Sequence, residues 1–396
     1  MNSFKMNLPK TVELIIDRLE NCGYSAHVVG GAVRDSLIGR KLGDFDITTD
    51  AMPEDTKRVF SEYKTIDTGI KHGTVTIVID RVPYEVTTYR IDGDYKDNRH
   101  PDSVSFTRSL EEDLKRRDFT VNAMCYSPRG GLVDLFSGES DVRERVIRAV
   151  GDPYLRFSED ALRILRALRF SSTLDFDIEK NTASAARDKR ELLRGVSRER
   201  IYTEFHKLLS GARPSAVLLE YSDVFEVVLD GLKISDMPSD SAMSDADYLT
   251  RLAALFFLNS RDPVNTAERV LSSLRTDNFT RIHTKMTISA YLAADFSSEN
   301  SVLHLLADFG REAVESALLL GRLTGRYSVR ETTLYNTLMA RDPIFTVSRL
   351  DVRGSDIAAL NFRGEAIGEK LDELLLAVID GKCKNEKSSL LAYLTK

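Results

Sequence analysis

The chain has 396 residues, a net charge of −6, and 42% hydrophobic against 29% charged residues. This is the composition of an ordinary folded protein, long enough for two to four domains. It excludes a uniformly basic coat, although a nucleic-acid partner needs only a local basic stripe. No apolar run approaches the roughly 20 residues that a membrane-spanning helix needs. At the N-terminus, MNSFKMNLPKTVELIIDRLE interrupts its apolar residues with charges at helical spacing, which fits neither a signal peptide nor an anchor. Cys22, Cys125 and Cys383 lie far apart with no CxxC, so neither a disulfide framework nor a zinc site is expected. A cytoplasmic protein with no membrane partner is the expectation.

In chain order, the first chemical signal follows an apolar strand, His27-Val28-Val29, which runs into Gly30-Gly31 and a helix-like Ala32-Val33-Arg34-Asp35. Glycines at that junction let backbone amides and a helix N-terminus approach a phosphate. A second apolar strand carries Gly43-Asp44-Phe45-Asp46-Ile47. Residues two apart on a strand share a face, which would set the Asp44 and Asp46 carboxylates side by side with Phe45 and Ile47 turned into the core. Two such charges repel unless a cation lies between them, and hard oxygen ligands suit Mg²⁺. Paired Mg²⁺ ions can activate a hydroxyl and stabilise the leaving group of a phosphoryl displacement. Alone, a double glycine is usually a turn and a DxD a solvated loop. In the order strand, GG, helix, strand, DxD, they read as a nucleotidyl-transfer site and resemble the catalytic core of the DNA polymerase β superfamily.

Further on, Thr74–Ile79 and Tyr84–Tyr89 are β-branched runs that read as a hairpin turning through 80–83. Glu85 on the second run is either a third carboxylate beside the aspartate pair or an exposed strand residue. The polar segment Arg90–Phe106, rich in Asp and Gly, reads as a loop, 110–124 as a helix of mixed charge, and Asp134–Gly138 as a turn. Beyond about residue 145 the pattern becomes helical. Ser158 is the expected N-cap of a helix through Phe170, with Leu162, Leu165 and Leu168 as its buried stripe. Asp160 stands three residues before Arg163, close enough on a helix for the two side chains to meet. Residues 151–213 hold 13 Lys and Arg against 10 Asp and Glu, a basic stretch in an acidic chain.

The blocks GGAVRD, GDFDI, EVTTYR, EEDLKRRDFTVNAM, DLFSG, RFSEDALRILRALRF and VSRERIYTEFHKLL together resemble the class II tRNA nucleotidyltransferases (CCA-adding enzymes) and their relatives, the bacterial poly(A) polymerases. They cover roughly the first 210 residues. The tail is similar to that of the short enzymes that lack a phosphohydrolase domain, but has Asn361-Phe362-Arg363-Gly364-Glu365-Ala366 before its Ile-Gly pair, where the family often carries prolines.

The resemblance implies an α+β head, a polymerase β-like nucleotidyltransferase fold of mixed sheet with helices, followed by an all-α neck, body and tail. The expected bounds are 1–145, 146–212, 213–325 and 326–396. It implies template-independent addition of C, C and A to the 3′ end of tRNA from CTP and ATP, with Mg²⁺ as cofactor and contacts to the acceptor and TΨC arm. Asp44, Asp46 and Glu85 are then the catalytic candidates, with Asp44 and Asp46 as metal ligands. Gly30, Gly31, Arg34 and Arg117 fall to the triphosphate or sugar, with Arg116 the alternative to Arg117, and Arg166 and Arg169 complete a basic row. Asp35 and Asp118 are expected to hold neighbouring groups in place.

Asp160 and Arg163 match the family's base-reading pair. A carboxylate accepts from the exocyclic amino group, and a guanidinium donates to the unprotonated ring nitrogen that both C and A place beside it. U and G reverse that pattern. The full-length segment Arg90–Phe106 disfavours a CC-only enzyme and implies a lever for the switch to A. Residues 214–396 carry 20 Lys and Arg against 26 Asp and Glu, which weakens the poly(A) reading. An A-adding enzyme stays open, and a silent RNA-binding relative is disfavoured because two carboxylates would only repel RNA.

Overall fold

The computed structural model describes residues 4–93 and 104–395, which form two compact units, Met1–Gly231 and Leu232–Lys396. Unit 1 opens with α1 (Lys10–Asn21), whose Val12, Ile15, Ile16 and Leu19 are buried at helical spacing. Then come β1 (Ala26–Val29), α2 (Gly31–Leu37), β2 (Asp46–Thr49), α3 (Pro53–Val59), β3 (Lys64–Gly69), β4 (Thr74–Ile79) and β5 (Val82–Thr88). The short strands β6 (Arg90–Asp92) and β7 (Val104–Phe106) pair with each other. After α4 (Leu110–Lys115) follow β8 (Met124–Ser127), β9 (Gly131–Asp134) and α5 (Gly138–Glu144). Seven strands form one sheet in the order β3-β4-β5-β2-β1-β8-β9. Its single parallel pairing is β2 with β5.

The remainder of unit 1 is mostly helical: β10 (Val146–Ile147), α6 (Pro153–Glu159), α7 (Leu162–Leu174), β11 (Asp177–Ile178), α8 (Lys180–Asp188), α9 (Arg198–Leu209), α10 (Pro214–Glu220) and α11 (Ser222–Val228). Unit 2 opens with an irregular stretch over 232–247, and its described elements are helices: α12 (Tyr248–Asn259), α13 (Pro263–Ser273), α14 (Asn278–Ala293), α15 (Glu299–Leu323), α16 (Val329–Met339), α17 (Gly354–Ala358), α18 (Glu365–Ile379) and α19 (Lys387–Leu394). Among its buried apolar residues are a cluster around Val302, Val314 and Leu338 and another around Ile357, Leu374 and Leu390. The α+β head and the helical remainder are as expected.

Several local expectations are corrected. The hairpin turns in two residues, Asp80 and Arg81, both at positive φ (50° and 67°), so Val82 and Pro83 already belong to β5. Arg90–Phe106 is a loop only in part, because its two ends pair as β6 and β7; residues 94–103 lie outside the described residues. The helix expected over 110–124 stops at Lys115. Phe119, fully buried, bridges Ala149, and Met124 must enter β8 to pair beside β1. Ser158 is not an N-cap but lies in the last turn of α6, donating to the Tyr154 carbonyl. The break falls at Asp160, whose backbone is extended (φ −134°, ψ 103°) and whose carboxylate accepts the Leu162 amide at 3.1 Å.

Candidate active site

The site grows from the centre of the sheet. β1 and β2 pair antiparallel with Val29 opposite Asp46. Immediately after Val29 the chain turns away at Gly30 (φ 77°, ψ −129°), which opens α2. That φ favours glycine, and a Cβ there would lie 3.4 Å from the Arg117 guanidinium. The turn also ends the pairing, so β2 begins at Asp46 and Asp44 lies just ahead of the strand rather than on it. Ile47 is buried as expected, whereas Phe45 is only half-buried. Asp44 and Asp46 are both exposed.

The electrostatics fit a cation between the two aspartates. The protein mass around Asp46 pushes its carboxyl above the usual range; Arg117 opposes this shift and the Asp44 charge reinforces it. Two carboxylates in mutual repulsion, open to solvent, are a hard-oxygen donor set that a divalent ion would relieve. Glu85 is exposed on β5, and the register that sets Ile47 against Val86 brings it beside Asp46. Among the described residues, no three His, Cys, Asp or Glu side chains are grouped to hold a metal.

α4 delivers the arginines. Its Leu114 packs with Val29 and Cys125 under the sheet, which brings the following residues to the end of β1. Arg116 is gripped by Asp113 through Nε (3.0 Å) and Nη2 (2.7 Å). Arg117 donates to the same carboxylate at only 3.4 Å, and its buried Nε has no hydrogen-bond partner within the described residues. Buried donors are rarely left so, and an incoming acceptor would satisfy this one. Arg117 therefore faces the glycine turn and the aspartates, while Arg116 is turned onto Asp113. Beneath them, burial pushes the Cys125 thiol up to about 12, against the pull of Arg117, and keeps it protonated.

α7 clamps this turn from the other side. Arg163 Nη2 donates to the Arg116 carbonyl at 3.0 Å, and Arg166 Nε donates to Asp118 at 2.8 Å. Asp118 also accepts from Asn122 Nδ2 and the Phe119 amide. Burial alone would raise its carboxyl, but the Arg166 charge and these hydrogen bonds bring it down to about 2.

The expected contact between the Asp160 and Arg163 side chains is absent among the described residues. Asp160 Oδ2 accepts from Arg200 Nη2 (3.0 Å), and Arg163 Nη1 donates to Glu159 (2.8 Å). Helical spacing does not govern the pair, because Asp160 stands outside both helices. The other expected nucleotide arginines are likewise held. Arg34 is buried against Asp35 and Asn122. Arg169 donates to the buried Glu204 and stacks on Phe170 with 3.8 Å to the ring centroid. Arg34, Arg166 and Arg169 thus each carry a protein counter-charge in this structure.

Sequence reasoning missed Asp113, Asn122, Arg200 and Glu204 as holders of these groups. Only Asp113 had a local signal, its spacing of three and four from Arg116 and Arg117.

An aspartate pair at the start of β2, a glycine turn after β1 and an arginine brought beside them by α4 are the arrangement of a nucleotidyltransferase site. The Poly A polymerase head domain family matches residues 26–148, and the family described as "Probable RNA and SrmB-binding site of polymerase A" matches 175–234. The CCA-adding enzyme of Levilactobacillus brevis is 37% identical over 98% of this chain and 99% of its own length; that of Bacillus velezensis is 37% identical over 96% of each. The crystal structure of the Bacillus stearothermophilus CCA-adding enzyme in complex with CTP aligns with a TM-score of 0.81 at 33% identity, covering 98% of both chains. A Thermotoga maritima CCA-adding enzyme complexed with tRNA, 21% identical with a TM-score of 0.70, shares the fold. The chain belongs to the CCA-adding enzyme family.

Proposed function

We propose that this site adds C, C and A to the 3′ end of tRNA without a nucleic-acid template, taking the nucleotides from CTP and ATP and releasing pyrophosphate. The observation that carries the reading is the register of Val29 against Asp46, which brings the glycine turn, the aspartate pair and Arg117 together. The full-length relatives and the CTP-bound structure agree with it. Among the described residues no helix is long and apolar enough to cross a membrane, in keeping with a cytoplasmic enzyme.

Asp44 and Asp46 would hold a divalent cation, Mg²⁺ in our reading, which when bound supplies charge neutralisation and activates the attacking hydroxyl at the transferred phosphoryl group. The Gly30 and Gly31 backbone lets the triphosphate approach α2, and Arg117 turns its unsatisfied Nε toward it. Asp160 accepts the amino group of C or A, and Arg163 donates to the adjacent ring nitrogen. To do so, Asp160 must share or leave Arg200, and Arg163 must do the same with Glu159. The segment Arg90–Phe106 levers the pocket from C to A, and the all-α part divides into neck, body and tail that take the acceptor and TΨC arm.

The test uses tRNA transcripts lacking CCA, CA or A, each incubated with CTP, ATP or both. Completion of all three to CCA is expected. Addition to the CC end alone would instead mark an A-adding enzyme, and long runs of A a poly(A) polymerase.

A further inference from the structure

One buried carboxylate lies where α4 meets β2 and the start of β6, beside the candidate site. Asp113 is wholly excluded from solvent. Its Oδ1 accepts from Arg116 Nε and Nη2 and from the Arg90 amide (3.4 Å), where β6 begins. Its Oδ2 accepts from Arg117 Nη2 (3.4 Å) and from Thr48 Oγ1 (3.2 Å). Thr48 lies on β2, two residues beyond Asp46, so it shares that residue's face. Five donors converge on a group with about four lone-pair sites, which leaves Asp113 no capacity to bind a ligand itself.

The two arginines are held unequally. Among the described residues, Arg116 makes two short hydrogen bonds to Asp113, whereas Arg117 makes one long one and keeps a buried Nε without a partner. A guanidinium tethered through one nitrogen is aimed but still able to close on an incoming oxyanion. Without the carboxylate, the two adjacent guanidinium groups would lose the acceptor they share.

We propose that Asp113 is the positioning residue of the nucleotide pocket, aiming Arg117 at the triphosphate and tying it to the strand that carries Asp46. This rests on the reading that Arg117 meets the triphosphate.

A double-variant cycle on the full-length protein tests it. Binding of CTP and of ATP is measured by titration calorimetry with Mg²⁺ and no tRNA, alongside kcat and KM for addition. Asp113→Asn keeps the shape but removes the charge and turns an N–H toward the arginines. It should weaken CTP and ATP binding about ten- to a hundredfold, with kcat at saturating nucleotide changing much less. In an Arg117→Ala background, the same substitution should add less than about twofold, because the two act as one unit. An additive cycle, or a lowered melting temperature with unchanged nucleotide binding, would overturn the proposal and leave Asp113 as scaffold. Unchanged binding in Arg117→Ala alone would overturn the Arg117 reading and this one with it. If Asp113→Asn does not fold, Thr48→Val, which removes one donor to Oδ2 and keeps the charge, enters the same cycle under the same criteria.

Discussion

The two units treat charge in opposite ways. Unit 1 buries Arg34, Asp113, Asp118, Asp141, Arg163 and Glu204, whereas unit 2 buries Arg251 alone among the charged side chains of its described residues. Ion pairs in unit 2 such as Arg311–Glu315, Arg341–Glu299 and Arg349–Asp342 stand at the surface, every side chain at least 42% exposed. Taking an ion out of water costs several kcal/mol even when it is paired. A fold carries that cost where side-chain direction matters, and in unit 1 the buried Asp113, Asp118 and Arg163 meet at one turn, Arg116-Arg117-Asp118. Unit 2 is held by buried apolar side chains such as Phe256, Leu271, Val302 and Leu374, which set shape but aim nothing.

The comparison breaks most sharply at the aspartate pair. Asp44→Ala or Asp46→Ala should abolish nucleotide addition, since a metal ligand contributes several kcal/mol of transition-state charge stabilisation. Both residues are exposed, so the melting temperature should hold. Gel-resolved addition together with thermal unfolding decides it, and near wild-type turnover would refute the metal assignment.

Asp118 tests the buried network. Asp118→Asn should lose about 3 kcal/mol of stability by removing the nearer of Arg166's counter-charges, leaving it Glu204 at 3.8 Å. The sign with pH follows from a folded-state value of about 2, below that of the unfolded chain. The stabilisation is fully present above about pH 4 and lost as pH falls from about 4 toward 2. Urea unfolding at pH 5 and pH 3 should therefore show the native protein losing more stability on acidification than the variant does. Identical losses would remove Asp118 from the acid response.

Base choice comes next. Asp160→Ala should admit UTP and GTP alongside CTP and ATP, with selectivity falling by one to two orders of magnitude for a lost hydrogen bond of about 1–3 kcal/mol. A lower rate at unchanged selectivity would assign Asp160 to structure through Arg200. The smallest effect belongs to unit 2, where Arg341→Ala or Arg349→Ala should cost under about 1 kcal/mol and leave CTP binding untouched. A larger loss would show that its surface pairs carry weight the exposure does not suggest.

The elements around Gly30-Gly31 and Asp46 were legible in the sequence because their signals are local. A two-residue period, a glycine where φ must be positive and an apolar run before it need no distant partner. The α+β head and helical remainder followed from the same periodicities. The broken helix at 116–123 was not legible, because burial of Phe119 and the pairing of β8 beside β1 overrode its helical composition. The split of Asp160 from Arg163 was hidden for a related reason: spacing of three means contact only if both residues lie on one helix.

The sequence by itself thus determined which chemistry this chain carries, since motif order, glycines and paired carboxylates are properties of short segments. Tertiary structure alone decided which arginine faces the site and what holds it. Arg116 and Arg117 are alike in sequence. They differ only because Leu114 docks α4 under the sheet, Arg163 takes the Arg116 carbonyl, and Asp113 accepts one guanidinium closely and the other at arm's length. Those partners come from positions up to 47 residues apart, and only packing brings them together.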